Sequence, residues 1–459
     1  MDFLEEIAEG KEVTGISRLL VNFKKRVSSL SPSEVILLGY IGIILLGALL
    51  LSLPFMVAPG NHLSFVDALF TSTSAVCVTG LIVVDTATFF SFWGQLTILT
   101  LLQIGGLGYM TMTTLVAVAL GRRVEYRDRL AIRDSLALDT PGGVVRFVLL
   151  IVKYTLFIEG VGFILLLIRF LRYFSFPQAL FSALFHAVSA FCNAGFSVFA
   201  NSLENFVEDP FVNLTVVGLI VLGGIGFMVI KEISENRRVS SLHARVVVKM
   251  TVFLVILGFL GFLLLEWNGV LKNLSLSGKI LAALFQSITP RTAGFNTVPI
   301  SQVSIATSLL LMALMFIGAS PGGTGGGIKT TTFAIILGAV KSVIRQEDRV
   351  ELLRRKVAQL IVYKAFAFFF LALLLIVGAS FVLFIVQPDD PVDIVFEVFS
   401  AFGTVGLSRG ITSHLLTLSK MLIILIMYVG RVGLFTLLMY RPGRDIKGLI
   451  TYPEERIPI

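Results

Sequence analysis

The stretch Ser400-Ala401-Phe402-Gly403-Thr404-Val405-Gly406-Leu407-Ser408-Arg409-Gly410 ends a short apolar segment that lies between two long ones. Three incomplete echoes stand upstream: Val78-Thr79-Gly80-Leu81, Asn193-Ala194-Gly195-Phe196 and Thr292-Ala293-Gly294-Phe295. Each follows a segment too short to cross a bilayer as a helix. The glycines recur at roughly hundred-residue intervals, the period of a helix–loop–helix unit rather than of a solenoid repeat. One such glycine alone reads as a packing or turn residue. Four in matching positions read as one device built four times.

Composition places the device in a membrane. The chain has 459 residues, 56% hydrophobic and 14% charged, with mean hydropathy +0.92. Soluble chains carry about 25% charged residues. The net charge of +8 does not point to nucleic acid, because the basic residues cluster in short loops between apolar spans, as cytoplasmic loops do. Cys77 and Cys192 sit inside apolar segments, so no disulfide scaffold or zinc spacing is read. His62, His186, His243 and His414 form no metal-like cluster. The polar first thirty or so residues make the first apolar span an uncleaved anchor.

The expected architecture is all-α: eight transmembrane helices with four re-entrant pore loops, four helix–pore–helix repeats around one pseudo-fourfold pore. Residues 1–32, with Lys24, Lys25 and Arg26, form a cytoplasmic segment. Repeat one covers 33–120, with 33–56 crossing, 65–76 re-entering and 92–120 crossing back. After a cytoplasmic loop at 121–143, repeat two covers 144–230, with segments 144–171, 177–190 and 211–230. A loop at 231–251 precedes repeat three at 252–343, with segments 252–267, 277–289 and 305–343. A loop at 344–359 precedes repeat four at 360–440, with segments 360–386, 392–402 and 415–440, and a tail at 441–459. Basic residues such as Arg122, Arg133, Lys231, Arg245, Lys249, Arg349 and Arg441 mark the inside. Asp85, Glu204, Glu208, Asp209, Asp389 and Asp390 mark the outside, with Arg169, Arg172, Lys272 and Lys279 as exceptions. Both termini are then cytoplasmic.

A dehydrated cation in a membrane needs oxygen ligands, and backbone carbonyls supply them without fixed charge. A loop that exposes carbonyls in sequence needs backbone angles that glycine tolerates best, and irregular backbone at membrane depth is allowed where it lines a wet cavity. The candidate filter is therefore Val78, Thr79 and Gly80, Asn193, Ala194 and Gly195, Thr292, Ala293 and Gly294, and Thr404, Val405 and Gly406. The re-entrant helices would aim their partially negative C-terminal ends at the centre, while Asp67 and Asp393 suit the positive ends.

A second motif is Gly318-Ala319-Ser320-Pro321-Gly322-Gly323-Thr324-Gly325-Gly326-Gly327-Ile328-Lys329-Thr330-Thr331-Thr332. A phosphate-loop reading fails, because that motif needs Gly directly before Lys and Ile328 intervenes. Pro321 and the glycines must break the helix. A break beneath the filter reads as an intramembrane loop able to block the cavity; a packing kink is the bland alternative. Arg431, in Tyr428-Val429-Gly430-Arg431-Val432-Gly433, lies inside the last span, where a charge costs about 3 kcal/mol and needs a partner. The loop's carbonyls are the natural partner, and snorkelling is the alternative. The gate candidates are Gly318, Pro321, Gly322, Gly323, Thr324, Gly325, Gly326, Gly327, Lys329 and Arg431. Glu159 reads as a structural hydrogen-bonding group.

Thr404-Val405-Gly406-Leu407-Ser408 resembles the Thr-Val-Gly-Tyr-Gly loop of potassium channels. Over essentially its whole length the chain resembles the Trk/Ktr/HKT superfamily of potassium transporters, and is most similar to the KtrB-like membrane subunits of bacterial Ktr systems. The resemblance carries Gly80, Gly195, Gly294 and Gly406 over as filter positions, 318–332 as the gate and Arg431 as the gate-facing arginine. It implies potassium as the substrate, sodium as an activator, and a cell-membrane homodimer whose subunits each hold a pore and touch through 440–459. It also implies a cytoplasmic KtrA-like ring of RCK domains that binds ATP or ADP, with no cofactor and no enzymatic activity on this chain. Sodium-preferring plant relatives carry serine at the first filter glycine, so Gly80 favours potassium. Ile82, Ser197, Asn296 and Ser408 stand where a potassium channel has its second glycine, which leaves a less selective sodium and potassium conductance open. An alternating-access carrier remains the other reading; it favours paired helix breaks, and one prominent break is read here. An intramembrane enzyme would need a nucleophile–base pair, and none is read.

Overall fold

The computed structural model describes residues 32–120, 124, 129–130, 132–133, 142–236, 238–347 and 349–433. The expected N-terminal segment, most of the 121–143 loop and the C-terminal tail with its dimer contact lie outside the described residues. The fold is almost wholly helical. In chain order the helices are α1 (Pro32–Leu51), α2 (Phe65–Val76), α3 (Phe92–Leu107), α4 (Tyr109–Ala119), α5 (Val144–Phe170), α6 (Phe176–Phe191), α7 (Pro210–Gly224) and α8 (Phe227–Asn236). They continue as α9 (Leu242–Leu265), α10 (Leu276–Ile288), α11 (Ile305–Phe316), α12 (Thr330–Ile344), α13 (Gln359–Val386), α14 (Pro391–Gly403) and α15 (Thr417–Val432).

Among the described residues, four helices, α1, α5, α9 and α13, are long and apolar enough to cross a membrane, or up to six spans if the bent pairs α3–α4 and α7–α8 each count as one. Their outward faces carry exposed Leu, Ile, Val and Phe, such as Phe370, Phe381 and Ile385 on α13, which suits lipid. The short helices α2, α6, α10 and α14 have 12, 16, 13 and 13 residues. At 1.5 Å per residue these are about 18 to 24 Å long, less than the ~30 Å hydrocarbon core. They are more enclosed than the long helices. Three of their starts are fixed by polar caps: Ser64 and Ser275 accept from Asp67 and Gly278 backbone N–H groups, and Asp390 accepts from Val392 behind Pro391.

The four units close into a ring. Within each, the first long helix packs on its own short helix: α1 on α2, α5 on α6, α9 on α10, α13 on α14. Between units, the following helix packs on the next short helix: α3 on α6, α7 on α10, α11 on α14, and α15 back on α2. Small residues let these backbones approach. A Cβ at Gly105, Gly223 or Gly430 would fall under 3.0 Å from the carbonyl oxygen of Val76, Phe191 or Phe402 respectively. Without a hydrophobic drive between lipid-bathed helices, such close packing is what holds them together.

Several expected segments are corrected. The single crossing expected at 92–120 ends at Gly108, φ +80°, and turns by 97° into α4; that at 211–230 ends at Gly226, φ +98°, and turns by 99° into α8. Both breaks have a glycine in the left-handed region that other residues avoid. The third unit's break at 317–329 therefore has counterparts, and α15 also ends at a positive-φ glycine, Gly433. Helix α9 begins at Leu242, ten residues before the expected crossing, so Arg245 and Lys249 lie on a helix rather than in a loop. The expected loop at 344–359 contains a β-hairpin, β1 (Glu351–Leu352) against β2 (Arg355–Lys356), turned through Leu353 and Arg354 at positive φ, the two-residue geometry that matches strand twist.

Candidate functional site

Each short helix ends in the same way. Four residues after a buried phenylalanine (Phe70, Phe185, Phe285, Phe396) comes a hydroxyl residue, Ser74, Ser189, Thr289 or Ser400. The Ser74, Ser189 and Ser400 carbonyls accept from the Thr79, Ala194 and Val405 N–H groups at 2.7, 2.8 and 2.9 Å, and Thr289 accepts from Ala293 at 2.9 Å. The Ser74 and Ser400 hydroxyls catch the Gly80 and Gly406 N–H groups, each at 3.0 Å. Those of Ser189 and Thr289 donate to the Phe196 and Phe295 carbonyls at 2.7 and 2.6 Å. Amide hydrogens that would compete for space at the centre are thus turned back onto the short helix. This Phe-x-x-x-Ser/Thr spacing, once per unit, is the sequence signal that marks the ends of the short helices.

The loops then wind alike. Val78, Asn193, Thr292 and Thr404 all have positive φ (57°, 58°, 81° and 50°), and so do Gly80, Gly195, Gly294 and Gly406 (93°, 71°, 77° and 93°). For the β-branched Val78, Thr292 and Thr404 this conformation is an outlier that costs of order 1–3 kcal/mol, and such strain gathers at functional sites. The four glycines meet in cyclic order. A Cβ on Gly80 would fall under 3.0 Å from the Ala194 carbonyl oxygen; on Gly195, from that of Ala293; on Gly294, from that of Val405; and on Gly406, from that of Thr79. Each glycine thus faces the middle carbonyl of the next loop, and the fourth closes on the first. The structure brings together all twelve residues named from the sequence.

On one side of this ring lies a cavity of about 200 Å³, lined by Gly294, Gly406, Asn296, Ser408 and Glu204 among others. Asn296 is clamped there by the second unit: its N–H donates to the Ser202 hydroxyl at 3.2 Å, its carbonyl accepts from Leu203 N–H at 3.0 Å, and its amide donates to Glu204 at 2.7 Å. Burial raises the Glu204 carboxyl above its usual range, against the lowering effect of the Asn296 hydrogen bond. Two further anchors sit around the fourth loop. Arg409 pairs with Asp393 and reaches across to the Val303 carbonyl at 3.0 Å and the Ser308 hydroxyl at 2.7 Å. Lys420 pairs with Asp67 at 2.6 Å, tying the fourth unit to the first. Asp67 and Asp393, at the positive ends of their helix dipoles, thus each also have a cation.

On the other side lies the glycine-rich segment 317–329. Gly326 N–H donates to the Thr404 hydroxyl at 3.0 Å, and a Cβ on Gly325 would run into the Thr292 hydroxyl. Thr324 donates through its N–H to the Gly223 carbonyl at 3.1 Å and through its hydroxyl to Phe191 at 3.3 Å. Lys329 Nζ donates to the Gly325 carbonyl at 2.7 Å. Arg431 donates to the Thr324 carbonyl with one nitrogen and to the Gly105 carbonyl with another. One partner is thus a carbonyl of the loop and the other a carbonyl of α3. Beyond the segment opens a cavity of about 300 Å³, lined by Pro321, Gly322, Gly323, Gly327, Lys329, Arg431 and neighbours. Glu159 accepts from the Gln103 amide at 3.2 Å, away from both cavities.

Known proteins match this chain along most of its length. A family model described as TrkH, cation transport protein, matches residues 44–443. The Ktr system potassium uptake protein B of Bacillus subtilis (strain 168) is 39% identical over 93% of this chain and 96% of its own. The potassium/sodium uptake protein NtpJ of Enterococcus hirae is 38% identical over 95% and 98%. A crystal structure of the potassium transporter TrkH from Vibrio parahaemolyticus shares the fold at TM-score 0.73, with 21% identity, over 89% of this chain and 84% of its own. Four loops in a closed ring and matches of this extent agree: the chain belongs to the TrkH family of cation transport proteins, on its KtrB-like branch.

Proposed function

We propose that this chain conducts potassium ions across a cell membrane, through the ring at Gly80, Gly195, Gly294 and Gly406. The observation that carries the reading is the cyclic approach of each glycine to the middle carbonyl of the next loop, which gathers Thr79, Ala194, Ala293 and Val405 oxygens around one axis. Rings of carbonyls of this kind replace the hydration shell of a cation. The C-terminal ends of the short helices add partial negative charge. The family is one of ion transporters rather than enzymes, and the relatives named as potassium uptake proteins support potassium as the substrate. Sodium enters as a second ion or an activator, in keeping with the potassium/sodium name of one relative.

In the finer reading, the bent helices each count with their partners, giving eight crossings and four pore loops with both termini in the cytoplasm. The 317–329 segment is the gate. It stands between the ring and the 300 Å³ cavity, held shut by Lys329 and Arg431. The chain works as a homodimer beneath which a KtrA-like RCK ring, carrying ATP or ADP, sets the gate. The alternating-access reading gains support from the breaks at Gly108 and Gly226, which removes one ground for preferring a pore. The breaks recur in three successive units, however, and such serial recurrence fits a fourfold pore better than two inverted halves.

The test is ion flux into liposomes holding this chain, alone and with an RCK-ring partner plus ATP or ADP. Potassium flux that the partner alters is expected. Flux of neither ion under any condition would overturn the pore reading.

A further inference from the structure

The residue after each buried phenylalanine of the short helices is polar: Thr71, His186, Gln286 and Glu397. All four are buried, with His186, Gln286 and Glu397 wholly so. Burying a polar group in an apolar core is costly unless it is hydrogen-bonded, so their partners are informative. His186 Nδ1 lies 2.7 Å from the Ser182 carbonyl, which can only accept, so Nδ1 carries the proton. Nε2 is then the acceptor for the Ser197 hydroxyl at 2.9 Å. The Ser197 oxygen in turn accepts from the Phe199 N–H at 2.9 Å. Glu397 does the same work in the fourth unit. Its carboxylate accepts from the Ser408 hydroxyl at 2.8 Å, and Ser408 accepts from the Gly410 N–H at 3.0 Å. Thr412 adds a second donor to the same carboxylate at 2.5 Å.

The two relays are superimposable in chain logic. Ser197 and Ser408 both stand two residues after their ring glycine, and each takes the N–H two residues further on, the hydrogen-bonded turn that serine favours. In the other two units the relay is missing. Ile82 and Asn296 occupy the serine position, and the Thr71 hydroxyl and Gln286 amide have no hydrogen-bond partner among the described residues. The cyclic order of glycine contacts sets the second and fourth units across the axis from each other. A ring fourfold at its glycines is therefore twofold in what holds its outer limbs.

We infer that His186 and Glu397 are positioning residues for ion discrimination. Through Ser197 and Ser408 they fix the limbs just beyond Gly195 and Gly406, where a second filter glycine would stand, and so set how well the carbonyls there distinguish potassium from sodium. The inference rests on the pore reading above. A serine hydroxyl spent on its own short helix is aimed away from the axis and cannot serve as an extra ligand for the smaller ion. A rigid limb also resists closing down on it.

The experiment measures the potassium-to-sodium flux ratio in liposomes for Ser408→Ala, Glu397→Leu, Glu397→Gln, Ser197→Ala and His186→Leu, with Thr71→Val and Gln286→Met as controls at the same helical position. Ser408→Ala and Glu397→Leu both cut the bond between Ser408 and Glu397, and each also frees a second group, the Gly410 N–H in the first and the Thr412 hydroxyl in the other. Each is expected to lower the ratio roughly three- to ten-fold, the usual worth of one hydrogen bond. The double variant should fall short of the sum of the two, since they share the bond between Ser408 and Glu397. Ser197→Ala and His186→Leu should behave alike, Glu397→Gln should keep the ratio, and the two controls should leave it unchanged. The small alanine variants decide the matter if either leucine variant does not fold. An unchanged ratio in both serine variants, or an equal fall in the controls, would overturn the inference. Gly80→Ser, run in parallel, separates the two levels: if it too left the ratio unchanged, the pore reading itself would fail.

Discussion

Arg431 shows how far one residue's chemistry carries. A guanidinium at this depth must meet oxygens, and it donates to the Thr324 and Gly105 carbonyls, joining the glycine-rich segment to α3. Arg431→Ala is expected to raise ion flux in the absence of any partner while leaving protein abundance unchanged; loss of folded protein instead would make the arginine a structural strut. Glu204 gives a prediction in pH. Its carboxyl is raised by burial, so its charge is lost as the pH on its side of the ring falls through a range above that of an ordinary glutamate. Losing a negative charge beside the ring should lower cation entry roughly two- to three-fold at low ionic strength, with less effect in high salt. Glu204→Gln should abolish that pH dependence; a native pH profile in this variant would clear Glu204 of the role. The need of Arg431 for a partner was legible because it is a lone charge in an apolar run. The roles of His186, Glu397 and Arg409 were not, because Ser197 and Ser408 meet their partners only once each loop folds back on its short helix, and Ser308 meets Arg409 only once the third and fourth units pack.

At the scale of elements, the short helices were readable nearly to the residue, since their length alone sets them apart from crossing helices. The segment expected at 65–76 is α2 as observed. The bends at Gly108 and Gly226 escaped notice because the apolar pattern runs straight through them; only the positive φ of one glycine decides that the helix stops. An alanine at either bend is expected to destabilise the protein by about 1–2 kcal/mol, the cost of a left-handed conformation, measurable as a lower melting temperature in detergent. At Gly226 the added Cβ would also press on the Pro321 carbonyl of the glycine-rich segment. Between Gly322 and Gly327 that segment carries one side chain beyond glycine, that of Thr324. It is held by hydrogen bonds to Thr404, Gly223 and Phe191 and by two cations. Deleting 322–327 should therefore raise basal flux at normal protein abundance, and a flux unchanged or lowered would remove it as the gate.

For the whole molecule, the fourfold order follows from two cyclic sets of contacts, helix on short helix and glycine against carbonyl, both closing from the fourth unit onto the first. The sequence announced four units by spacing alone, but could not tell whether they meet; closure is a property of packing between segments hundreds of residues apart. It also hid the inequality of the units, which resides in single polar residues behind the ring. The central claim is that this ring selects the ion. The most direct test is the potassium-to-sodium flux ratio of Gly80→Ser against the native chain in liposomes. At φ +93°, with the Ala194 carbonyl against any added Cβ, a serine must distort the ring. The ratio is expected to fall several-fold with protein abundance unchanged, whereas a serine variant that discriminates as the native chain does would contradict the account.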